Sequence, residues 1–195
     1  MSVSLQKGQK VSLSKEHAGL SKVIVGLGWD EVQQKRGFFA PKAQDIDCDA
    51  FAILLSNGKI VDKKDIVYFG NLTHESKSVK HMGDNLTGGG EGDDEQIIID
   101  LNSVPAQYDR IVLAVNIYQA SQRKQHFGLI QNAFIRLVDG RSNNEMCRYN
   151  LTDNYSGQTA LIFGEVYRHN GEWKFSAIGQ GTTDDSIGQF AQRYV

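Results

Sequence analysis

Proline, cysteine and long apolar runs are scarce in this 195-residue chain. Its two prolines exclude a proline-rich or collagen-like protein. Its two cysteines, Cys48 and Cys147, are too few for a disulfide scaffold and are typical of a reducing compartment. No apolar run approaches the roughly 20 residues of a membrane-spanning helix, and the start of the chain lacks the apolar stretch of a secretion signal. We therefore expect a cytoplasmic protein without a transmembrane segment, folded as a single domain over residues 1–195.

The formal net charge of −2 hides an uneven distribution of charge. Residues 43–109 contain thirteen Asp and Glu against five Lys and Arg, whereas the segments on both sides have a small basic excess. The acids are concentrated again at Asp45, Asp47 and Asp49 and over residues 91–95. A nearly neutral chain gives no reason to expect nucleic acid as a partner. Acidic clusters of this kind repel themselves in a compact state unless a cation lies among them.

Short apolar segments of strand type dominate the chain. They are rich in branched and aromatic residues: 23–29, 51–55, 66–69, 97–101, 111–118, 134–138 and 146–151. Residues 159–168 and 172–178 flank Asn170-Gly171, a pair typical of a two-residue hairpin turn. Helical patterns are confined to residues 121–126 and 185–194. The sequence therefore predicts a mainly β protein, a two-sheet β-sandwich with a few short helices.

The stretch from Asp84 to Glu95 is the most informative about chemistry. It contains five carboxylates, one Asn amide and several glycines, without Lys or Arg. Glycines let the backbone turn its carbonyls inward, and calcium binds carboxylate, amide and carbonyl oxygens. Asp84, Gly89 and Glu95 match the first, sixth and last positions of an EF-hand loop, but Leu86 and Gly88 lack the oxygen side chains which that motif requires. The segment alone fits a calcium loop and a solvated acidic turn equally well.

A second set of acids supports the metal-binding interpretation. Asp45, Asp47 and Asp49 alternate, so in an extended segment they project from one face. Asp30 lies where the apolar segment 23–29 ends. The alternative is a row of solvent-facing acids on an edge strand, but no basic residue follows in register to offset them. We therefore favour a cation at this second cluster.

The remaining reactive side chains give weaker signals. None of the histidines forms a zinc-type pair with a cysteine, and we interpret all of them as surface or turn residues: His17, His74, His81, His126 and His169. No nucleophile-elbow sequence or Ser-His-Asp spacing is present. The sequence therefore predicts no catalytic residue.

Four segments together resemble the TerD family of bacterial tellurium-resistance and general-stress proteins. They are residues 26–30 (GLGWD), 45–51 (DIDCDAF), 81–97 (HMGDNLTGGGEGDDEQI) and 164–181 (GEVYRHNGEWKFSAIGQG). The resemblance extends over nearly the whole chain. It implies a β-sandwich that binds calcium, usually two ions, in loops at one end. It also implies a cytoplasmic role in tellurite resistance and stress response, with no established enzymatic activity.

The resemblance further implies a set of metal ligands. The positions that match the family's acidic and amide ligands are Asp30, Asp47, Asp49, Asp84, Asn85, Asp93, Asp94, Glu95 and Asn132, with Gly88 as a carbonyl donor. One departure concerns the glycine-acid loop, which in the family often reads Gly-Glu-Gly-Asp-Gly-Asp-Asp-Glu. This chain has glycine at the second of those positions and Glu91 at the fourth.

Two functions of different class follow from these residues. The first is a calcium-binding module, not an enzyme, with calcium and other stress-resistance proteins as its partners. The second is a magnesium- or manganese-dependent hydrolase in which Asp47, Asp49, Asp93 and Asp94 hold two metals that activate water. We favour the first because the acidic motif contains no basic residue that would bind a phosphate group. Magnesium also prefers one or two carboxylates with retained waters over an oxygen-rich cage.

Overall fold

Two six-stranded β-sheets with a shared core make up the fold in a computed structural model, which describes residues 2–16, 19–31, 46–83 and 92–195. The strands in chain order are β1 (Val3–Leu5), β2 (Lys10–Ser12), β3 (Lys22–Glu31), β4 (Cys48–Leu55), β5 (Ile66–Val67), β6 (Val79–His81), β7 (Glu95–Asp100), β8 (Arg110–Ile117), β9 (Ile130–Asp139), β10 (Glu145–Asn150), β11 (Ala160–His169) and β12 (Glu172–Thr182). Short helices are α1 (Leu13–Glu16), α2 (Ala120–Arg123) and α3 (Ile187–Ala191), with single 3₁₀ turns at Lys63–Asp65, Phe127–Leu129 and Gln192–Tyr194. The prediction of a mainly β sandwich with few short helices is confirmed.

The order of strands places β3 and β8 in the interior of the two sheets. The first sheet has the order β1-β10-β9-β3-β7-β6, and the second has the order β2-β12-β11-β8-β4-β5. Strands β1 and β10 are parallel, while the other described pairs are antiparallel. The predicted hairpin joins β11 to β12, with His169 opposite Glu172. Asn170 and Gly171 both have positive φ, which a type I′ turn requires.

One hydrophobic core fills the space between the sheets. Strand β7 alternates buried and half-buried residues over its whole length, because one of its faces packs on the second sheet. The inward-facing side chains of the central strands are Val23, Val25, Leu27, Ile97, Ile99, Ile135 and Leu137 from the first sheet, and Ala50, Ala52, Leu54, Ile111, Leu113 and Val115 from the second. None of these side chains is exposed.

A second, smaller core covers the outer face of the second sheet. Phe51 and Val112 point away from the sandwich interior and are buried under α3. The ring of Phe190 in α3 meets that of Phe51 edge-on at 5.0 Å between centroids. Strand β4 is therefore apolar on both faces, which explains its continuous apolar run.

The structure also departs from the sequence-based expectations. Strands β1, β2 and β6 have three residues each and were not predicted, because so short a segment shows no clear alternation. The interpretation of the histidines as surface or turn residues is wrong for His74 and His81, which are each 1% exposed. Each ring nitrogen of the two residues has a hydrogen-bond partner inside the protein, so their burial leaves no polar atom unsatisfied. Among the helices that the structure describes, none is long and apolar enough to span a membrane.

A buried polar network fixes the segment between β4 and β6. The carboxylate of Asp65 is 1% exposed and accepts hydrogen bonds from Tyr108 Oη at 2.6 Å and from the backbone N–H groups of Val61 and Asp62. His74 Nε2 lies 3.3 Å from the same carboxylate. Burial by itself raises the pKa of Asp65, but these hydrogen bonds together lower it below the ordinary value.

We expect Tyr108→Phe to lower the free energy of unfolding at pH 7 by about 1–3 kcal/mol, because it removes a hydrogen bond to a buried charged group. A carboxyl group with a lowered folded pKa stabilises the fold above its unfolded pKa, and that stability is lost as the pH falls through the folded pKa. The difference between the wild-type protein and the variant should therefore shrink below about pH 4. Urea denaturation from pH 7 to pH 3 measures it. Tyr167→Phe, at a half-buried tyrosine, is the control, and an equal loss there would contradict a specific role for Tyr108.

Candidate functional site

Two glycines in β3 leave space on the outer face of the first sheet. A Cβ atom at Gly26 would overlap the carboxylate of Asp93, and one at Gly28 would overlap the ring of Phe134. Leu27, between them, points into the core and is fully buried. The Gly-Leu-Gly segment therefore anchors β3 through one side chain and accommodates two neighbouring side chains on the opposite face.

Asp93 occupies the space above Gly26 and is held by two side chains. Its carboxylate accepts two hydrogen bonds from Arg136, at 2.7 Å from Nε and 3.1 Å from Nη2. A third comes from Gln96 Nε2 at 2.9 Å. The side chain of Asp93 is 1% exposed, and its hydrogen bonds raise the pKa of Arg136. A buried, bidentate ion pair of this kind fixes the position of the chain at residue 93.

Asp94 is tied to the end of β3 but lies beside other acids. Its backbone N–H donates to Leu27 O at 2.8 Å, and its Oδ2 accepts the N–H of Trp29 at 2.7 Å. Burial raises the pKa of Asp94, and the nearby negative charges of Asp30 and Asp93 raise it further against the lowering effect of the Trp29 hydrogen bond. The described residues supply no hydrogen-bond donor to its other oxygen, Oδ1. This carboxylate is therefore in surroundings that a cation would stabilise.

Asn132 reaches the same place through an irregularity in the sheet. The register of β3 against β9 shifts between Gly28 and Asp30, and Asn132 has a left-handed backbone with φ of 55°. Asparagine adopts this conformation more readily than most residues. Its Nδ2 donates to Asp30 Oδ2 at 2.8 Å, and both side chains are exposed.

These residues line one cleft of about 830 Å³ on the outer face of the first sheet. Its walls include Trp29, Asp30, Asp94, Asn132, Arg136 and Arg148. The guanidinium of Arg148 stacks on the ring of Phe134 at 4.0 Å from the centroid.

The charges at this cleft do not balance. Arg136 is paired with Asp93, and Glu145 lies within 3.5 Å of both arginines. Asp30 and Asp94 line the cleft, whereas Asp93 and Glu145 contact its two arginines, so four carboxylates in this region accompany two guanidinium groups. Because Asp93 and Glu145 pair with the arginines, the carboxylates of Asp30 and Asp94 are left without a guanidinium partner among the described residues.

Glu95 lies inside the sandwich, away from that cleft. Its Oε2 accepts the backbone N–H of Ala50 in β4 at 2.6 Å, and the residue is 5% exposed. His81 Nδ1 accepts the N–H of Gly83, so its proton is on Nε2, which lies 3.0 Å from Ala50 O and 3.4 Å from Glu95 Oε2. Glu95 and His81 thus join β7 and β6 of the first sheet to β4 of the second.

Asp47 and Asp49 lie on the second sheet. Asp49 pairs in register with Asn116 of β8 and lines a different cleft. Asp47 lies just before β4, with Oδ2 at 3.8 Å from Arg123 Nη1. The structure therefore does not bring Asp47 or Asp49 to the cleft of Asp30, Asp94 and Asn132.

The other predicted ligands fall outside the described residues: Asp84, Asn85 and Gly88, together with Glu91 of the same loop and Asp45 of the second acidic cluster. Within the described ranges, no three His, Cys, Asp or Glu side chains form a group that could hold a metal ion. The described oxygens would thus be only part of any coordination shell. The ligand set remains a prediction.

Sequence reasoning missed the residues that position the acids. Arg136 and Gln96 hold Asp93, but Arg136 is 43 positions away along the chain and stands in an ordinary strand pattern. In the sequence His81 is an isolated histidine without a metal-ligand spacing. The available signal was Gly26 and Gly28, since glycines within a strand indicate a close approach by another group.

Comparisons with family models and with curated proteins point to the same family, and a comparison with solved structures points to the same fold. A family model described as the TerD domain matches residues 1–194. "Stress response protein SCP2" of Bacillus subtilis (strain 168) is 54% identical over 199 residues, covering 100% of both chains. "Tellurium resistance protein TerD" of Serratia marcescens is 50% identical over 93% of this chain and 91% of its own. Among solved structures, a homologue of telluride resistance protein (TerD) from Streptomyces coelicolor A3(2) has a TM-score of 0.63 at 23% identity, over 89% of this chain and 96% of that one.

We expect Gly26→Ala to destabilise the fold by about 1–3 kcal/mol, because the new methyl group would displace Asp93 from Arg136. Thermal unfolding measures the change. Gly188→Ala is the matched control, since Gly188 lies in α3 with space for a Cβ and alanine favours helix. Equal stability of the Gly26 variant and the wild-type protein would show that the close approach is not required.

Proposed function

The chain belongs to the TerD family, and we propose that it is a calcium-binding β-sandwich protein of stress and tellurite resistance. In this proposal it acts as a binding or scaffold module rather than as a catalyst. The observation that supports the calcium site is the convergence of Asp30, Asp94 and Asn132 in one cleft, where Asp30 raises the pKa of Asp94.

The chemistry of these donors suits calcium. Carboxylate and amide oxygens are hard ligands, and calcium accepts six to eight of them in flexible geometry. Asp30 and Asp94 raise each other's free energy by repulsion, which a cation between them would offset. Asp93 would serve differently, because Arg136 already binds both of its oxygens. Its role in the proposal is to hold Asp94 in place.

The loop that precedes β7 would complete the shell. Residues 84–91 connect directly to the described Gly92, which itself lines the cleft. We propose that Asp84, Asn85 and the Gly88 carbonyl supply the missing oxygens. Since the described residues provide only two carboxylates and one amide, a calcium ion here would need these further oxygens to complete its coordination.

The number of ions is a separate part of the proposal. Asp47 and Asp49 supply the acids for a second ion, but they lie on the second sheet and Asp47 faces Arg123. One ion at Asp30 and Asp94 is therefore better supported by the geometry than two. Titration decides the stoichiometry.

A non-catalytic role in the cytoplasm completes the proposal. Cys48 and Cys147 are both buried and unbridged, as expected in a reducing compartment. Relatives carry names that refer to stress response and tellurium resistance. We propose that the protein acts there with other stress-resistance proteins, and that calcium sets the conformation of the cleft that they meet.

The test is calcium titration of metal-free protein by calorimetry, combined with melting curves in calcium and in chelator. At a hundredfold excess over Kd, calcium should stabilise the wild-type protein by about 2.7 kcal/mol. Asp94→Asn should abolish this calcium-dependent gain. In chelator the variant should melt no lower than wild type, because Asn keeps the acceptor for Trp29 and removes a repelled charge.

Two further variants sharpen the interpretation. Asp93→Asn should lower the melting temperature in chelator as well as in calcium, because it breaks the ion pair with Arg136 that holds Asp94 in place. Asp100→Asn, at the opposite end of β7, should leave calcium binding intact. Equal melting shifts for Asp94→Asn in both conditions would contradict a ligand role. Magnesium- or manganese-dependent phosphatase or nuclease turnover that disappears in Asp94→Asn would favour the hydrolase instead.

A further inference from the structure

A second cleft, independent of the proposed calcium site, lies on the outer face of the second sheet. Its volume of about 770 Å³ is in the range of small-molecule sites. Its walls are mostly apolar and aromatic, with Ile66, Tyr68, Phe69, Tyr118 and Ile187 among them. It lies beside the N-terminal end of α3, the helix that packs on the outer face of this sheet.

Unusual exposure of aromatic rings marks this cleft. Phe69 is 53% exposed and Tyr118 is 41% exposed, although large apolar side chains of this fold are otherwise mostly buried. Tyr68 and Phe69 meet edge-on at 5.1 Å between centroids. The guanidinium of Arg123 lies over the ring of Tyr118 at 5.0 Å, so this ring already attracts a cation.

The floor of the cleft contains a buried acceptor that lacks a partner. Asn116 is 3% exposed, and its Oδ1 has no hydrogen-bond partner among the residues that the structure describes. Its Nδ2 makes one long bond of 3.4 Å to Ile117 O. Buried amide oxygens are normally satisfied, so an unpartnered one that lines a cleft indicates a place for a donor from outside the chain.

A carboxylate lies next to that acceptor. Asp49 of β4 is the register partner of Asn116, so both side chains project from the same face of the sheet. Asp185 also lines the cleft, with Oδ1 accepting the N–H of Ser121, and Lys63 is the one cation among its described lining residues. Among the described lining residues, the polar part of the cleft therefore combines acceptors with two carboxylates and one ammonium group.

We propose that this cleft binds a small organic amine in its protonated form. The ammonium group would donate to Asp49 and to Asn116 Oδ1, and the apolar body would pack against Tyr68, Phe69 and Tyr118. Aromatic rings favour cations over their faces, and carboxylates exclude anionic ligands. A neutral apolar molecule would leave the Asn116 oxygen unpartnered in a water-poor site.

The test compares three probes that share a phenyl-ethyl body but differ in head group: phenethylamine, 2-phenylethanol and 3-phenylpropionate. Each is titrated into the full-length protein in chelator and followed by amide ¹H–¹⁵N NMR. We expect saturable shifts for phenethylamine at residues 66–69 and 116–118. The alcohol should bind about tenfold more weakly and the acid more weakly still.

Substitutions test which residues cause the expected preference for the amine over the alcohol. Asp49→Asn should remove the advantage of the amine over the alcohol, whereas Phe69→Ala should weaken both. Asp109→Asn is the matched control. Asp109 lies just before β8, and its carboxylate accepts a hydrogen bond from Asn57 N–H, so this variant should change the binding of neither probe. Equal binding of amine and alcohol to the wild-type protein, or an amine preference that survives Asp49→Asn, would overturn the proposal. So would shifts that are scattered over the surface.

The two clefts are separated by repeating the amine titration in millimolar calcium. The amine should bind unchanged, because Asp30 and Asp94 lie on the other sheet. Loss of amine binding in calcium, together with loss of one calcium equivalent in Asp49→Asn, would make Asp49 a metal ligand and overturn the amine site. Failure of calcium to bind anywhere would contradict the proposed function and leave the amine result unaffected.

Discussion

The ion pair between Asp93 and Arg136 governs the arrangement of the acidic end of the molecule. It brings a segment that follows the glycine-acid loop onto the outer face of the first sheet, above a strand whose glycine at position 26 leaves room for it. With residue 93 fixed there, the backbone of Asp94 bonds to Leu27 and its side chain to Trp29. An exposed ion pair contributes little, but this carboxylate is buried and has three donors. Breaking it would leave a buried charge uncompensated.

Neighbouring acids in the same motif therefore have different physical roles. Asp93 pairs with an arginine, and Asp94 lies near other carboxylates. Glu95 accepts a hydrogen bond from the backbone of Ala50 in the opposite sheet. Glu95 is the first residue of β7, and successive side chains of a strand point to opposite faces of the sheet. The side chain of Glu95 therefore points into the sandwich and not toward the cleft. A run of acids in sequence is thus only partly a run of ligands. The residue whose charge is least compensated, Asp94, is the one where a cation would have the largest effect.

Much of the fold could be read from the sequence, because its signals are local. The Asn170-Gly171 turn, the alternation of β7 and the apolar run of β8 each depend on residues within a few positions of one another. The pairing of Asp93 with Arg136 and the burial of His74 against Asp65 depend on residues that the fold brings together from distant or differently patterned segments. For the same reason the alternation of Asp45, Asp47 and Asp49 could not indicate which sheet would contain Asp49.

The connection between the two clefts runs through the interior of the sandwich. Asp94 and Asp49 lie on different sheets, yet their chain neighbours Glu95 and Ala50 share a hydrogen bond of 2.6 Å, and His81 bonds to the carbonyl of the same Ala50. These bonds fix the start of β7 against the start of β4, so Asp94 and Asp49 are held at constant positions on their separate sheets. Because Glu95 and His81 are buried, these bonds are shielded from water, and a ligand at one cleft is expected to leave the other unchanged. The packing between the sheets thus joins two surfaces that face in opposite directions.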